Sequence, residues 1–216
     1  MRTTGWTGIG GATLMAAATA CSPLARHWYL TYGATGEETA LTLPGDDLLP
    51  DPDIQSTRAI TIAAPPSAVW PWLVQMGGGR GGAYTYDWIE NLLALDVHSA
   101  DDILPQFQHL AVGDVLPLRP KGPGMRVEIC DPERTIAFRS TDGTWVWILH
   151  LTTRWLKARL ISRNRILVPG ATWPRRLVGR AVMEPGSLIM ERRMLLGIKQ
   201  RAQWSAPSAE ALLRRT

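Results

Sequence analysis

A strand that stops at two prolines, restarts as an apolar helix and breaks on a run of glycines constrains this chain more than any other stretch. From Arg58 to Ala64, Ile60 and Ile62 alternate with Ala59, Thr61 and Ala63, and a period of two predicts a strand with one buried face. Pro65 and Pro66 end it. Val69, Trp72, Leu73 and Met76 then fall at i, i+3, i+4 and i+7, one apolar face of a short helix. Pro71 would cost about 3 kcal/mol in a helix interior, which sets the expected start near Ser67. Five glycines among the six residues 77–82 break this helix, and Tyr86 to Leu95 is expected to form a second short one.

Downstream, Asp114 to Leu118, Met125 to Cys130, Thr135 to Ser140, Thr144 to Thr152 and Arg159 to Val168 read as short strands. Turns such as Gly122-Pro-Gly124 and Asp142-Gly143 separate them, as in an antiparallel meander. Trp145, Trp147, Leu149 and Leu151 share one strand face, which should point inward. Arg159, Ile161, Arg163, Arg165 and Leu167 share another, expected to be either exposed or a charged patch reaching toward a cavity. A last helix should open at Gly186 and Ser187, with Met190, Met194, Leu195, Ile198 and Ala202 on one side. Glu191 projects into that side, where a carboxylate is costly to bury unless paired. An ion pair with Arg163 or Arg165 is the simpler expectation; contact with a polar group of a ligand is the sharper one.

Strand, two short helices, a run of strands and one long C-terminal helix is an order that resembles the START-like, Bet v 1-like helix-grip superfamily (SRPBCC). This group includes lipid-transfer modules and polyketide cyclase-like proteins. The resemblance is carried by Ala64-Pro-Pro-x-x-Val-Trp-x-Trp-Leu73, by Tyr84-x-Tyr86-Asp87-Trp88 and by Met190-Glu-Arg-Arg-Met-Leu-Leu-Gly-Ile-Lys199. It implies an α+β helix-grip fold, a curved antiparallel sheet wrapped around the long C-terminal helix with a hydrophobic cavity between them. Trp70, Tyr84, Tyr86, Trp88, Trp145, Trp147, Met190, Glu191 and Met194 are then the candidate ligand-binding residues, in keeping with mostly apolar pockets. The superfamily shares no common catalytic set, so no catalytic residue is carried over.

The expected organisation is a membrane anchor or signal segment at 1–32, a linker at 33–56, the helix-grip domain at 57–204 and a tail at 205–216. No charged side chain lies between Arg2 and Arg26, and Gly5 to Leu24 gives about the 20 positions a helix needs to cross a bilayer. A single anchor is the favoured reading, since Arg26, His27, Trp28, Tyr29 and Tyr32 form a basic and aromatic collar. A secretory signal, a lipoprotein signal whose modified residue would be Cys21, and a disordered, uncleaved tail are the alternatives. Residues 33–53, rich in Gly, Pro and acids, read as extended.

Charge is divided unevenly along the chain. Residues 1–150 carry 9 basic and 16 acidic side chains, whereas residues 151–216 carry 14 basic and 3 acidic. The basic third is either a solvated face or a surface for anionic headgroups. No nucleic-acid-binding signature accompanies it, and no nucleic-acid partner is expected. Cys21 and Cys130 are too few for a disulfide framework, and no two of the four histidines stand at metal-ligand spacing. No cofactor is expected. The glycine run lacks the Gly-Lys-Ser/Thr ending of a phosphate loop and is read as a loop at the cavity mouth with Arg80 at its tip. His98 and Asp102 invite an acid/base reading, but Ser99 followed by Asp102 looks more like a helix cap. The leading expectation is membrane-tethered binding of a hydrophobic small molecule or lipid. A cyclase- or dehydratase-like enzyme using Tyr84, Tyr86, Asp87, His98 or Glu191 is the second, and a protein-interaction module the third.

Overall fold

A computed structural model describes residues 22–85, 99–117, 124–155, 157–170 and 172–205. The expected N-terminal hydrophobic helix with Cys21, the second short helix with Tyr86, Asp87 and Trp88, His98, and nearly all of the C-terminal tail lie outside these residues. Within them, two short helices come first, α1 (Pro23–Leu30) and α2 (Gly36–Ala40). Then follow strand β1 (Ile54–Ile62) and helix α3 (Pro66–Val74). Strands β2 (Val115–Pro117), β3 (Gly124–Asp131), β4 (Thr135–Ser140), β5 (Trp145–Arg154) and β6 (Lys157–Ile166) come next. Helix α4 (Trp173–Val178), a π-helical turn (Gly179–Met183) and the long helix α5 (Glu184–Ser205) close the fold.

The six strands form one antiparallel sheet in the order β1-β6-β5-β4-β3-β2. Register places Arg58 and Ile60 of β1 opposite Ser162 and Leu160 of β6, which in turn face Leu149 and Leu151 of β5. These residues share the inner face, so the inward orientation expected for Trp145, Trp147, Leu149 and Leu151 holds. Val69, Trp72, Leu73 and Met76 pack with that face, as do Met194, Leu195, Ile198 and Ala202 of α5. Helix α3 begins at Pro66 and continues through Pro71. Its four buried side chains, Val69, Trp72, Leu73 and Val74, offset the local penalty, each contributing about 1.5–3 kcal/mol.

The segment read as an extended linker is instead packed on the sheet. Thr35 and Glu38 form a capping box that starts α2. Leu43 and Leu49 pack against Ala59, Ala137, Val146, Ile148 and Ile161 on the outer face. The charged face of β6 is therefore neither exposed nor turned to a cavity. Arg163 is 1% exposed and donates to Asp46 at 2.5 Å, to the carbonyls of Leu41 and Glu38, and to Thr57. Arg165 donates to Asp46 and to the carbonyls of Leu49 and Pro50. An acid and a set of free carbonyls brought from the N-terminal segment make these buried guanidinium groups tolerable.

Two other boundaries differ from expectation. The last helix starts at Glu184, not at Gly186, because the π-helical turn runs directly into it. No helix begins at Ser99 to Asp102: the carbonyl of Asp102 accepts from the buried Gln75 side chain and Asp101 pairs with Arg201 at 2.7 Å. Long-range anchoring displaces the local capping option there.

Candidate functional site

Between the inner face of the sheet and α5 lies a cavity of about 450 Å³. The curved sheet and the straight helix touch along only part of their width, and the remaining space is walled mainly by apolar side chains. Met76, Leu116, Met125, Phe138, Met190 and Met194 contribute, as do Gly77, Gly78, Pro117 and Met183. Trp145 and Trp147 stack at 6.3 Å, with Phe138 5.7 Å from Trp147. Their indole N–H groups donate to Asn164 at 2.9 Å and Ser162 at 3.0 Å, which ties both rings to β6.

One side of the cavity is polar. Ser56 and Arg58 of β1, Asn164 of β6, and Ser187 and Glu191 of α5 line it together. Arg58 has no solvent exposure and forms an ion pair with Glu191. It also donates to the Tyr29 carbonyl and to the Ser187 hydroxyl, both at 2.9 Å. Asn164 donates to both carboxylate oxygens of Glu191 at 3.2 and 3.3 Å and accepts from Trp145. The partner of Glu191 is therefore Arg58 rather than Arg163 or Arg165, which the sheet's alternation carries to the opposite face. Arg58 was detectable in the sequence: it lies in phase with Ile60 and Ile62, which both pack on the core side of β1.

A cavity held between a curved antiparallel sheet and a long C-terminal helix decides the architecture. The fold is a helix grip. No protein-family model and no curated protein matches the sequence. Solved structures similar to it include protein MLL2253 from Mesorhizobium loti, 15% identical, covering 71% of this chain and 100% of that one, with a TM-score of 0.43. The Aha1 dimer from Colwellia psychrerythraea is 14% identical over 71% of this chain and 99% of that one, TM-score 0.41. A polyketide cyclase-like protein from Corynebacterium glutamicum is 18% identical over 74% of this chain and 94% of that one, TM-score 0.34. At these identities and scores the likeness says nothing of ligand or chemistry.

Of the nine residues named from the sequence, Trp145, Trp147, Met190, Glu191 and Met194 line the cavity. Tyr86 and Trp88 lie outside the described residues. Trp70 is partly buried against the core and is not among the cavity-lining residues. Tyr84 is 1% exposed, sits edge-on to Trp72 and donates its hydroxyl to the Trp72 carbonyl at 3.0 Å. Burial pushes its phenol up to about 12, so near neutrality it stays protonated, committed to the Trp72 carbonyl and outside the cavity lining. Arg80 also departs from expectation. It turns back to the carbonyls of Val74 and Phe107, both at 2.9 Å, and covers the Phe107 ring, while Gly77 and Gly78 alone of that loop reach the cavity wall. Arg58, Ser187, Asn164 and Met183 also line the cavity and are not among the ligand-binding residues expected from the sequence.

Proposed function

We propose that the protein binds one hydrophobic small molecule or single-chain lipid in this cavity, tethered to a membrane by residues 5–24. The observation that carries the reading is the division of the wall. An apolar chamber of about 450 Å³ is of the size that holds a single drug-sized ligand. The polar side formed by Arg58, Ser187, Asn164 and Glu191 would receive the ligand's oxygen-bearing end. Glu191 and Arg58 already satisfy each other, so a neutral hydroxyl or carbonyl fits better than a charged group, which would break the pair. The tether rests on the uncharged stretch between Arg2 and Arg26. Among the described residues no helix is long and apolar enough to cross a membrane. Within the proposed collar, Trp28 is exposed while Tyr29 is buried with its hydroxyl on Glu184.

Extraction of the purified chain with organic solvent, followed by mass spectrometry, tests the binding. A single apolar amphiphile at about one per chain is expected, with loss from Trp147→Ala and Met190→Asp variants that keep their circular dichroism. An extract with no such molecule, together with failure to take up an anilinonaphthalene probe, would refute cavity binding.

A further inference from the structure

We propose that the segment Trp173–Met183, which joins β6 to α5, rests on an anionic lipid surface and holds the cavity rim against it. This deepens the tethered-binding reading and depends on it for the orientation of the molecule. None of the residues in α4 or in the π-helical turn is buried. Trp173, Leu177, Val178, Val182 and Met183 are exposed by 77%, 50%, 58%, 61% and 68%. Soluble monomers rarely display so contiguous an apolar patch without a partner. The same segment carries Arg175, Arg176 and Arg180 and no acid. Tryptophan, aliphatic side chains and arginine together are the composition of a helix lying in a bilayer interface, where rings and alkyl groups enter the acyl boundary and guanidinium groups meet phosphates.

Two further observations favour lipid over a protein groove. Arg26, Arg175, Arg176 and Arg180 border a small hollow with Asp53 and Glu184, four cations against two acids. Arg26 is committed to Glu184 at 2.9 and 3.0 Å, and Arg176 stands 3.7 Å from Asp53, which leaves the hollow with net positive charge. The Arg26–Glu184 pair also fixes α1 to the first residue of α5. The uncharged N-terminal stretch therefore enters the described fold at this corner, where Leu24 and Trp28 are 85% and 60% exposed. Met183 belongs both to the exposed segment and to the cavity wall. An apolar ligand leaving the bilayer beside Met183 would reach the cavity without crossing water.

The test reconstitutes the full chain in phosphatidylcholine vesicles containing phosphatidylglycerol and a diazirine-bearing phospholipid, with cross-links mapped by mass spectrometry. Cross-links are expected in residues 173–183 as well as in residues 5–24. The first set should disappear in the exposed-residue variant R175Q/R176Q/R180Q, in Val178→Asp/Val182→Asp, and in vesicles of phosphatidylcholine alone, while the second persists. Cross-links confined to residues 5–24 would overturn the docking and leave the tether standing. Cross-links confined to residues 173–183 would support the docking and refute the tether. Equal labelling of residues 173–183 in neutral and anionic vesicles would overturn the anionic preference, and absence of lipid label there in a chain that is dimeric by light scattering would replace the bilayer with a second copy.

Discussion

Arg58 and Glu191 show how one buried charge is made tolerable. A guanidinium with no exposure is bound by a carboxylate, a carbonyl and a hydroxyl, so most of its donors are used. Removing either partner alone leaves an uncompensated charge, and Glu191→Ala should cost about 3–5 kcal/mol in denaturant unfolding. Arg58→Met with Glu191→Met should cost much less than the two single losses combined, because both charges leave together. His150 gives a pH dependence. Burial, helped by Arg134 and Arg163, holds its imidazole below the usual 6.5, and its Nδ1 lies 2.8 Å from the Thr135 hydroxyl. As pH falls through the ordinary value the unfolded chain takes up a proton that the folded ring refuses. The stability present above that pH is thus lost on acidification until the depressed folded value is reached. Tm measured between about pH 7.5 and 5.5 should fall in the native protein and fall less in His150→Asn.

At the scale of elements, α5 approaches the chain at Tyr84 through Gly197. A Cβ placed on Gly197 would meet the Tyr84 carbonyl oxygen at 2.6 Å and the Tyr84 Cβ at 2.9 Å, and Tyr84 already has a positive φ of 57°. Gly197→Ala should therefore destabilise by about 1–3 kcal/mol, since a backbone must move and not merely a flexible side chain. Thermal unfolding checks it. The strands and α5 were legible because their apolar residues repeat at two or at three to four positions. The stacked tryptophans declared the inner face of β5 for the same reason. The partner of Glu191 was legible only in part: the phase of Arg58 with Ile60 and Ile62 puts it on the inner face of β1, but nothing local tells which of several inward residues on distant strands meets the carboxylate of α5.

For the molecule as a whole, the sheet is covered twice, by α3 and α5 on one side and by residues 33–50 on the other. That second cover was invisible locally: glycine, proline and acid signal loop, while the arginines they neutralise lie more than 100 positions later, as the Asp46–Arg163 bond shows. Asp46→Ala should strand two buried cations and lower stability by about 3 kcal/mol or more, read as a shift in denaturant midpoint with fluorescence of the inner tryptophans as reporter. The π-helical turn at Gly179–Met183 has a geometric consequence for how the parts are phased. A turn wound with one surplus residue acts like a gear tooth between two shafts. Deleting Ala181 should remove the surplus and leave one continuous α-helix with α4 still in phase with α5, whereas inserting an alanine after Ala181 should rotate α4 by about 100° relative to α5 and swing its tryptophan and arginines out of alignment with the rim, so that lipid cross-links at Trp173 survive the deletion and vanish with the insertion although no exposed side chain of that helix has been changed.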